Sequence, residues 1–176
     1  MLKKITPEKY ILLGIIGLFI IGSLFHFIYQ LTGEISLIGL FVPTNESVFE
    51  HLKMIPVPMI GWWSIFYIFK KNEIFVNAWF SAALIAMIIA CITVPLIFYF
   101  YTQAFGIESI VIDILILLIA VALGQLFGLH YYRHGKGVHY LLAITIMILI
   151  IIIFAIFTVY PPNLPIFIDS SKQLIS

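Results

Sequence analysis

The feature that most constrains this chain is a succession of apolar runs, each about as long as a bilayer is thick, with most of the few charged residues gathered between them. A hydrocarbon core of roughly 30 Å requires about 20 apolar residues per helical crossing. In lipid, backbone polar groups must be satisfied within the segment itself, which makes the helix the natural form. The 176 residues therefore have room for about five crossings with short connections. Water is excluded as the principal solvent, because 63% hydrophobic residues with only 10% charged leave too little polar surface to cover a soluble fold. The expected fold is an all-α integral membrane bundle of five transmembrane helices, at about 10–30, 45–69, 75–101, 107–132 and 139–160. An apolar tail, 161–169, follows, and the whole chain, 1–176, reads as a single membrane domain. A formal net charge of +1 gives no nucleic-acid footprint, so the partner implied is the lipid bilayer.

The runs carry local signals of their own. Lys3, Lys4 and Lys9 precede the run from Tyr10 to Tyr29, which is too long for a signal-peptide core and lacks a small-residue cleavage site, so it reads as a retained first helix. Pro56 and Pro58 fall inside the second helix and predict a kink near Leu52 to Pro56. Pro95 is expected to bend the third helix, and Pro161-Pro162 to stop the fifth. Ala82, Ala86 and Ala90 in the third helix, and Ala120, Gly124 and Gly128 in the fourth, recur every four residues and offer smooth faces for close packing. Cys91, the single cysteine, admits no intrachain disulfide and reads as a packing residue. Seven of the nine Lys and Arg residues (Lys3, Lys4, Lys9, Lys70, Lys71, Arg133 and Lys136) fall on one side of a five-crossing chain, against Lys53 and Lys172 on the other. The positive-inside rule then puts the N-terminus in the cytoplasm and the C-terminus outside.

Chemistry concentrates in Asn45 to Lys53, where two carboxylates, an imidazole and an ammonium occur within nine residues beside membrane-length apolar runs. On a continuous helix Glu46, Glu50 and Lys53 share one face, with His51 about 100° away. Paired carboxylates can bind a divalent metal, hold a proton between them or bracket a polar head group. His26, near the end of the first helix and one turn beyond Gly22, Asp113 in the fourth helix and Asp169 in the tail lie at the same outward depth. An aspartate inside a membrane segment marks a functional site by default. The candidate catalytic groups are Glu46, Glu50, His51 and Asp113, and His26, Asn45, Lys53 and Asp169 are candidate ligand-binding groups. The metal set is His26, Glu46, Glu50 and Asp113, for a divalent ion such as zinc. A plainer account stands beside this one. Ser47-Val48-Phe49-Glu50 is a capping box, Asn45 or Thr44 caps the same helix in a competing register, and Glu50 with Lys53 forms a local ion pair. His130, His134 and His139 form a rival cluster at the other end of the fourth helix, where a basic cytoplasmic turn with Arg133 and Lys136 accounts for them.

The pattern Pro-x-Asn-Glu-Ser-Val-Phe-Glu-His-Leu-Lys at Pro43 to Lys53 is preceded by His26. It is followed at the end by Tyr160-Pro161-Pro162-x-x-Pro165-x-Phe167-x-Asp169. Together they resemble a family of small bacterial multi-pass membrane proteins of unknown function, over nearly the whole chain. The resemblance departs after Asp169, where Ser170-Ser171-Lys172-Gln173 stand in place of the family's proline, glycine and Tyr-Gly. It implies a bacterial plasma (inner) membrane and brings no activity with it. Two functions fit the residues. One is a membrane-embedded hydrolase, working through a metal or through acid and base groups on a lipid or lipid-linked substrate. The other is a solute- or ion-binding transport subunit, which with only five helices would require a homodimer or a partner membrane subunit.

Overall fold

The structure, a computed structural model, describes residues 5–169. Lys3, Lys4 and Lys172, used above to orient the chain, and Ser170 to Gln173 lie outside the described residues. Those described form α-helices and short 3-10 turns, with no strand among them. The helices are α1 (Pro7–Leu31), α2 (Ser36–Gly39), α3 (Val48–Leu52), α4 (Pro56–Lys70), α5 (Val76–Phe105), α6 (Ile110–His134) and α7 (Tyr140–Val159). Five segments are long and apolar enough to cross a membrane: α1, the α3–α4 stretch to Glu73, α5, α6 and α7.

Helix boundaries follow end chemistry more than hydropathy. The first helix starts at Pro7, where the Thr6 hydroxyl caps the Lys9 amide and proline at the first position loses no needed donor. The second segment opens at Val48, capped by Ser47, and it is divided rather than kinked. Pro56 begins a new helix after the turn at 53–55, because a first-turn proline is tolerated where an interior one would break the ladder. α5 continues through Pro95 and ends on Gly106, whose φ of 62° supplies the left-handed cap.

The small-residue faces of α5 and α6 meet. A Cβ on Gly124 would stand 2.4 Å from the Ala86 carbonyl oxygen, and one on Gly128 would stand 3.0 Å from that of Ala82. The two backbones are therefore in contact along this seam, with Ala82, Ala86, Ala90 and Ala120 fully buried. Around it lies an aromatic core in which Trp63 and Trp79 are buried and the Trp79 indole donates to the Trp63 carbonyl at 3.0 Å. α7 is the outlying helix, with only Ala143 and Met147 buried. Its far end is held by aromatic contacts, Phe49 of α3 stacking on Phe154 at 4.9 Å and packing at a tilt against Phe167 of the tail at 4.4 Å. The ends of α1, α5 and α7 and the starts of α3 and α6 thus gather at one end of the bundle, around Asn45 to Lys53.

Candidate functional site

The start of α3 decides which side chains can meet. The Asn45 side-chain oxygen accepts from the Ser47 amide at 2.9 Å, and the Ser47 hydroxyl accepts from the Glu50 amide at 3.3 Å. The helix therefore begins at Val48, and Glu46 stands before its first turn. Glu46, Glu50 and Lys53 do not share a face as a continuous helix would require, because Glu46 is not on the helix at all. Freed from it, Glu46 turns to the imidazoles. One carboxylate oxygen lies 3.7 Å from His26 Nε2 and the other 3.4 Å from His51 Nε2. The two rings stack at 5.2 Å with 18° between their planes.

α1 reaches this point because Gly22 lets it press against the break between α3 and α4. A Cβ on Gly22 would lie 2.8 Å from the Met54 carbonyl oxygen. One turn later His26 faces His51. Ligand atoms of His26, Glu46 and His51 all lie within 4.8 Å of one another, and no other trio of His, Cys, Asp or Glu among the described residues does so. The site is partly open, with the three side chains 31%, 47% and 28% exposed.

His51 has a fixed proton. Its Nδ1 sits 2.9 Å from the Ser47 carbonyl, which can only accept, so Nδ1 carries the hydrogen. Nε2 then faces the Glu46 carboxylate. A bare nitrogen lone pair against a carboxylate is unfavourable unless something positive lies between them, either a second proton on the ring or a metal ion. With a second proton on the ring, hydrogen bonding from His51 holds the Glu46 carboxyl below the usual range, aided by the field of both imidazoles and opposed by partial burial and by Asp169. That Asp169 is felt at Glu46 brings the tail carboxylate to the same end.

Glu50 and Lys53 make a second, separate unit. Glu50 accepts from the Thr44 amide and hydroxyl at 2.8 Å each, from Lys53 at 2.7 Å and from the Thr158 hydroxyl of α7 at 3.2 Å. Lys53 also donates to the carbonyls of Gly39 at 2.8 Å and Val42 at 3.4 Å. Both side chains are nearly sealed; the Lys53 ammonium has three acceptors, Glu50 Oε2 takes three donors, and Oε1 shares the Thr158 hydroxyl with the Phe154 carbonyl. The trio with metal-ligand spacing contains His51 and neither Glu50 nor Asp113, the two residues expected beside His26 and Glu46.

Asp113 lies in a third setting. It accepts from the Tyr101 hydroxyl of α5 at 2.6 Å, and its charge reaches His51. Asp113 and Glu50 therefore occupy distinct surroundings. At the other end of α6 the His134 ring contacts the His130 carbonyl at 2.8 Å, and with His139 these histidines form no metal-spaced group. Three partners went unread in the sequence: Tyr101, Thr44 as a ligand of Glu50, and Thr158. A polar residue near the end of an apolar run was the available signal for Thr158 and Tyr101, and neither signal names a partner.

A family model described as "Family of unknown function (DUF6512)" matches residues 1–173. No curated protein and no solved structure matches the chain.

Proposed function

The chain belongs to that family of unknown function, and on its geometry we propose a membrane-embedded hydrolase whose reactive centre is a divalent metal, zinc by preference, held by His26, Glu46 and His51. The carrying observation is the His51 Nε2 turned on Glu46 with its proton fixed on the other nitrogen. A backbone acceptor on Nδ1 is the usual outer-shell support of a metal-bound imidazole. A tetrahedral zinc with bonds of about 2.0 to 2.1 Å spaces its ligands by roughly 3.3 Å; here the two Glu46 oxygens lie 3.7 and 3.4 Å from His26 and His51, and the three ligand atoms within 4.8 Å of one another, so binding would draw the set together. Two histidines and one carboxylate leave a fourth position open. A metal so held supplies Lewis acidity and an activated water.

The protein's own groups would do the rest. Asp113, held by the Tyr101 hydroxyl and with its charge felt at His51, would favour positive charge on the trio from outside it. In the reaction, water oxygen bonds to the electrophilic centre of an ester, the ester bond breaks, and the water proton passes to the departing oxygen. The lipid bilayer is the medium, in a bacterial plasma membrane, with the N-terminus cytoplasmic and the site facing out. What supports an enzyme over a solute-binding subunit is the state of the α3–α4 break. Its charged pair is buried and turned on protein groups, which leaves it no open face for a solute.

Metal analysis of the full chain, purified in detergent, tests this. We expect about one zinc per chain at neutral pH, falling on acidification because the ligands must be unprotonated. H26A and H51A should each lose the metal while circular dichroism stays helical. Folded protein that takes up no zinc, or that binds it equally well without His51, would end the metal reading.

A further inference from the structure

A second polar centre lies deep in the bundle, away from the trio. Gln125 of α6 is fully buried, and neither its amide nitrogen nor its amide oxygen has a hydrogen-bond partner among the described residues. The Nε1 atoms of Trp62 and Trp63 on α4 are sealed and unpartnered in the same way. Two of these groups converge on Gly14 of α1, where a Cβ would stand 2.5 Å from Gln125 Nε2 and 2.8 Å from Trp62 Nε1. With no side chain at 14, two N–H donors turn on one small space between α1, α4 and α6. Gly14 precedes His26 by 12 residues, about 18 Å along α1, which keeps this centre separate from the trio. What the space lacks is an acceptor. The Gln125 amide and the two indoles bring four N–H donors against one carbonyl oxygen. Turning the amide over would give Trp62 that oxygen and still leave three donors unanswered. The backbone of α4 is already engaged here, since the Trp62 carbonyl accepts from the Tyr10 hydroxyl at 3.0 Å and the Trp63 carbonyl from the Trp79 indole at 3.0 Å. Inside a bilayer an unmet donor is costly. Whatever meets it must be neutral, because Gln125, Trp62, Trp63 and Tyr10 carry no charge to hold an ion.

We propose that a single buried water is bound between Gln125 and Trp62, at the point that Gly14 leaves open. Its oxygen accepts from the Trp62 indole and from the Gln125 amide, which is the capacity that the two lone pairs of a water supply. The water then joins α6 to α4 across the glycine face of α1 and fixes how deep α1 packs. Positions 14, 18, 22 and 26 share that face, so the same depth brings His26 to His51 at the outer end. No metal in the trio is needed for it.

The test uses the full chain in phosphatidylcholine nanodiscs, deuterated and with nitrogen-labelled indoles, and reads magnetisation transfer from water to each indole N–H by NMR. The three tryptophans give three signals, assigned with W62F, W63F and W79F. Trp62 is expected to show the rotating-frame transfer of a bound water, opposite in sign to hydrogen exchange. Trp79, whose N–H is given to a carbonyl, is expected to show none. Q125L should abolish the Trp62 transfer while the Trp79 signal keeps its position, which reports an intact core. Where Q125L does not fold, Q125N, which draws the amide back by one methylene, is expected to weaken the transfer. A Trp62 signal that shifts on Q125L but receives nothing from water in the unmodified chain would mean that the amide itself bonds the indole. Neither transfer nor shift would mean two bare donors, and transfer to Trp79 as strong as to Trp62 would mean bulk water throughout the core. Each of these three results overturns the proposal.

Discussion

Glu50 and Glu46 stand four residues apart, and their fates diverge because one is inside a helix and the other just before it. Glu50 is a structural anion, 3% exposed, joining the 39–44 segment, α3 and α7 through its oxygens. Truncating one member of a buried ion pair leaves a charge uncompensated, which costs about 3–5 kcal/mol. We expect K53M and E50Q each to lose that order of stability in detergent melts. The double variant should lose less than the sum of the two, because the removed charges answer each other. Folded E50Q should still bind zinc in full, since Glu50 spends its oxygens on threonines and lysine. Zinc loss in a folded E50Q would return Glu50 to the metal. The sequence made Ser47 legible as a cap and His26 and Glu46 as candidates. It misplaced His51 because a face calculated from spacing presumes the helix already includes Glu46, and the Asn45 turn delays it to Val48.

Elements are specified here by which faces are small. A four-residue repeat of alanine and glycine on α5 and α6 was legible as a packing surface, and in the structure each supplies the other's partner. Hydropathy alone cannot choose such a partner in lipid, where every apolar face is equally at ease, so close approach of backbones carries the specificity. Gly124 is its tightest point. A side chain at 2.4 Å from a backbone carbonyl must push the helices apart, and overpacking of this kind costs typically about 1–3 kcal/mol. G124L is therefore expected to lower the melting temperature sharply, while L126A, on the exposed side of the same helix, changes it little. Comparable melts for the two would mean that the α5–α6 seam does not hold the bundle. The division at Lys53 to Ile55 was readable only as a bend. Prolines announce that a ladder is interrupted, but whether the chain kinks or restarts depends on the tertiary partners waiting at the gap, here Gly39, Val42 and the Gly22 side of α1.

At the scale of the whole molecule, the number of crossings and the placement of the trio are coupled. Five spans alternate the connections between the two ends of the bundle, and the end opposite the trio holds Lys9, Lys70, Lys71, Arg133 and Lys136. The apolar runs made five spans legible, because length and hydropathy are properties of each segment alone. The meeting of His26 with His51 was not, because it needs the register of α1 against a break whose position no single segment encodes. On the proposed orientation, charge asymmetry would leave the basic end in the cytoplasm and carry the trio outward. In a C91A background, N163C at the trio's end is expected to react with a membrane-impermeant maleimide in intact bacterial cells, and K136C only after permeabilisation; both positions are exposed. The reverse pattern would put the metal site on the cytoplasmic side instead. The prediction therefore bears on substrate access as well as topology, since a site at one end of a membrane-spanning bundle meets only what reaches that side.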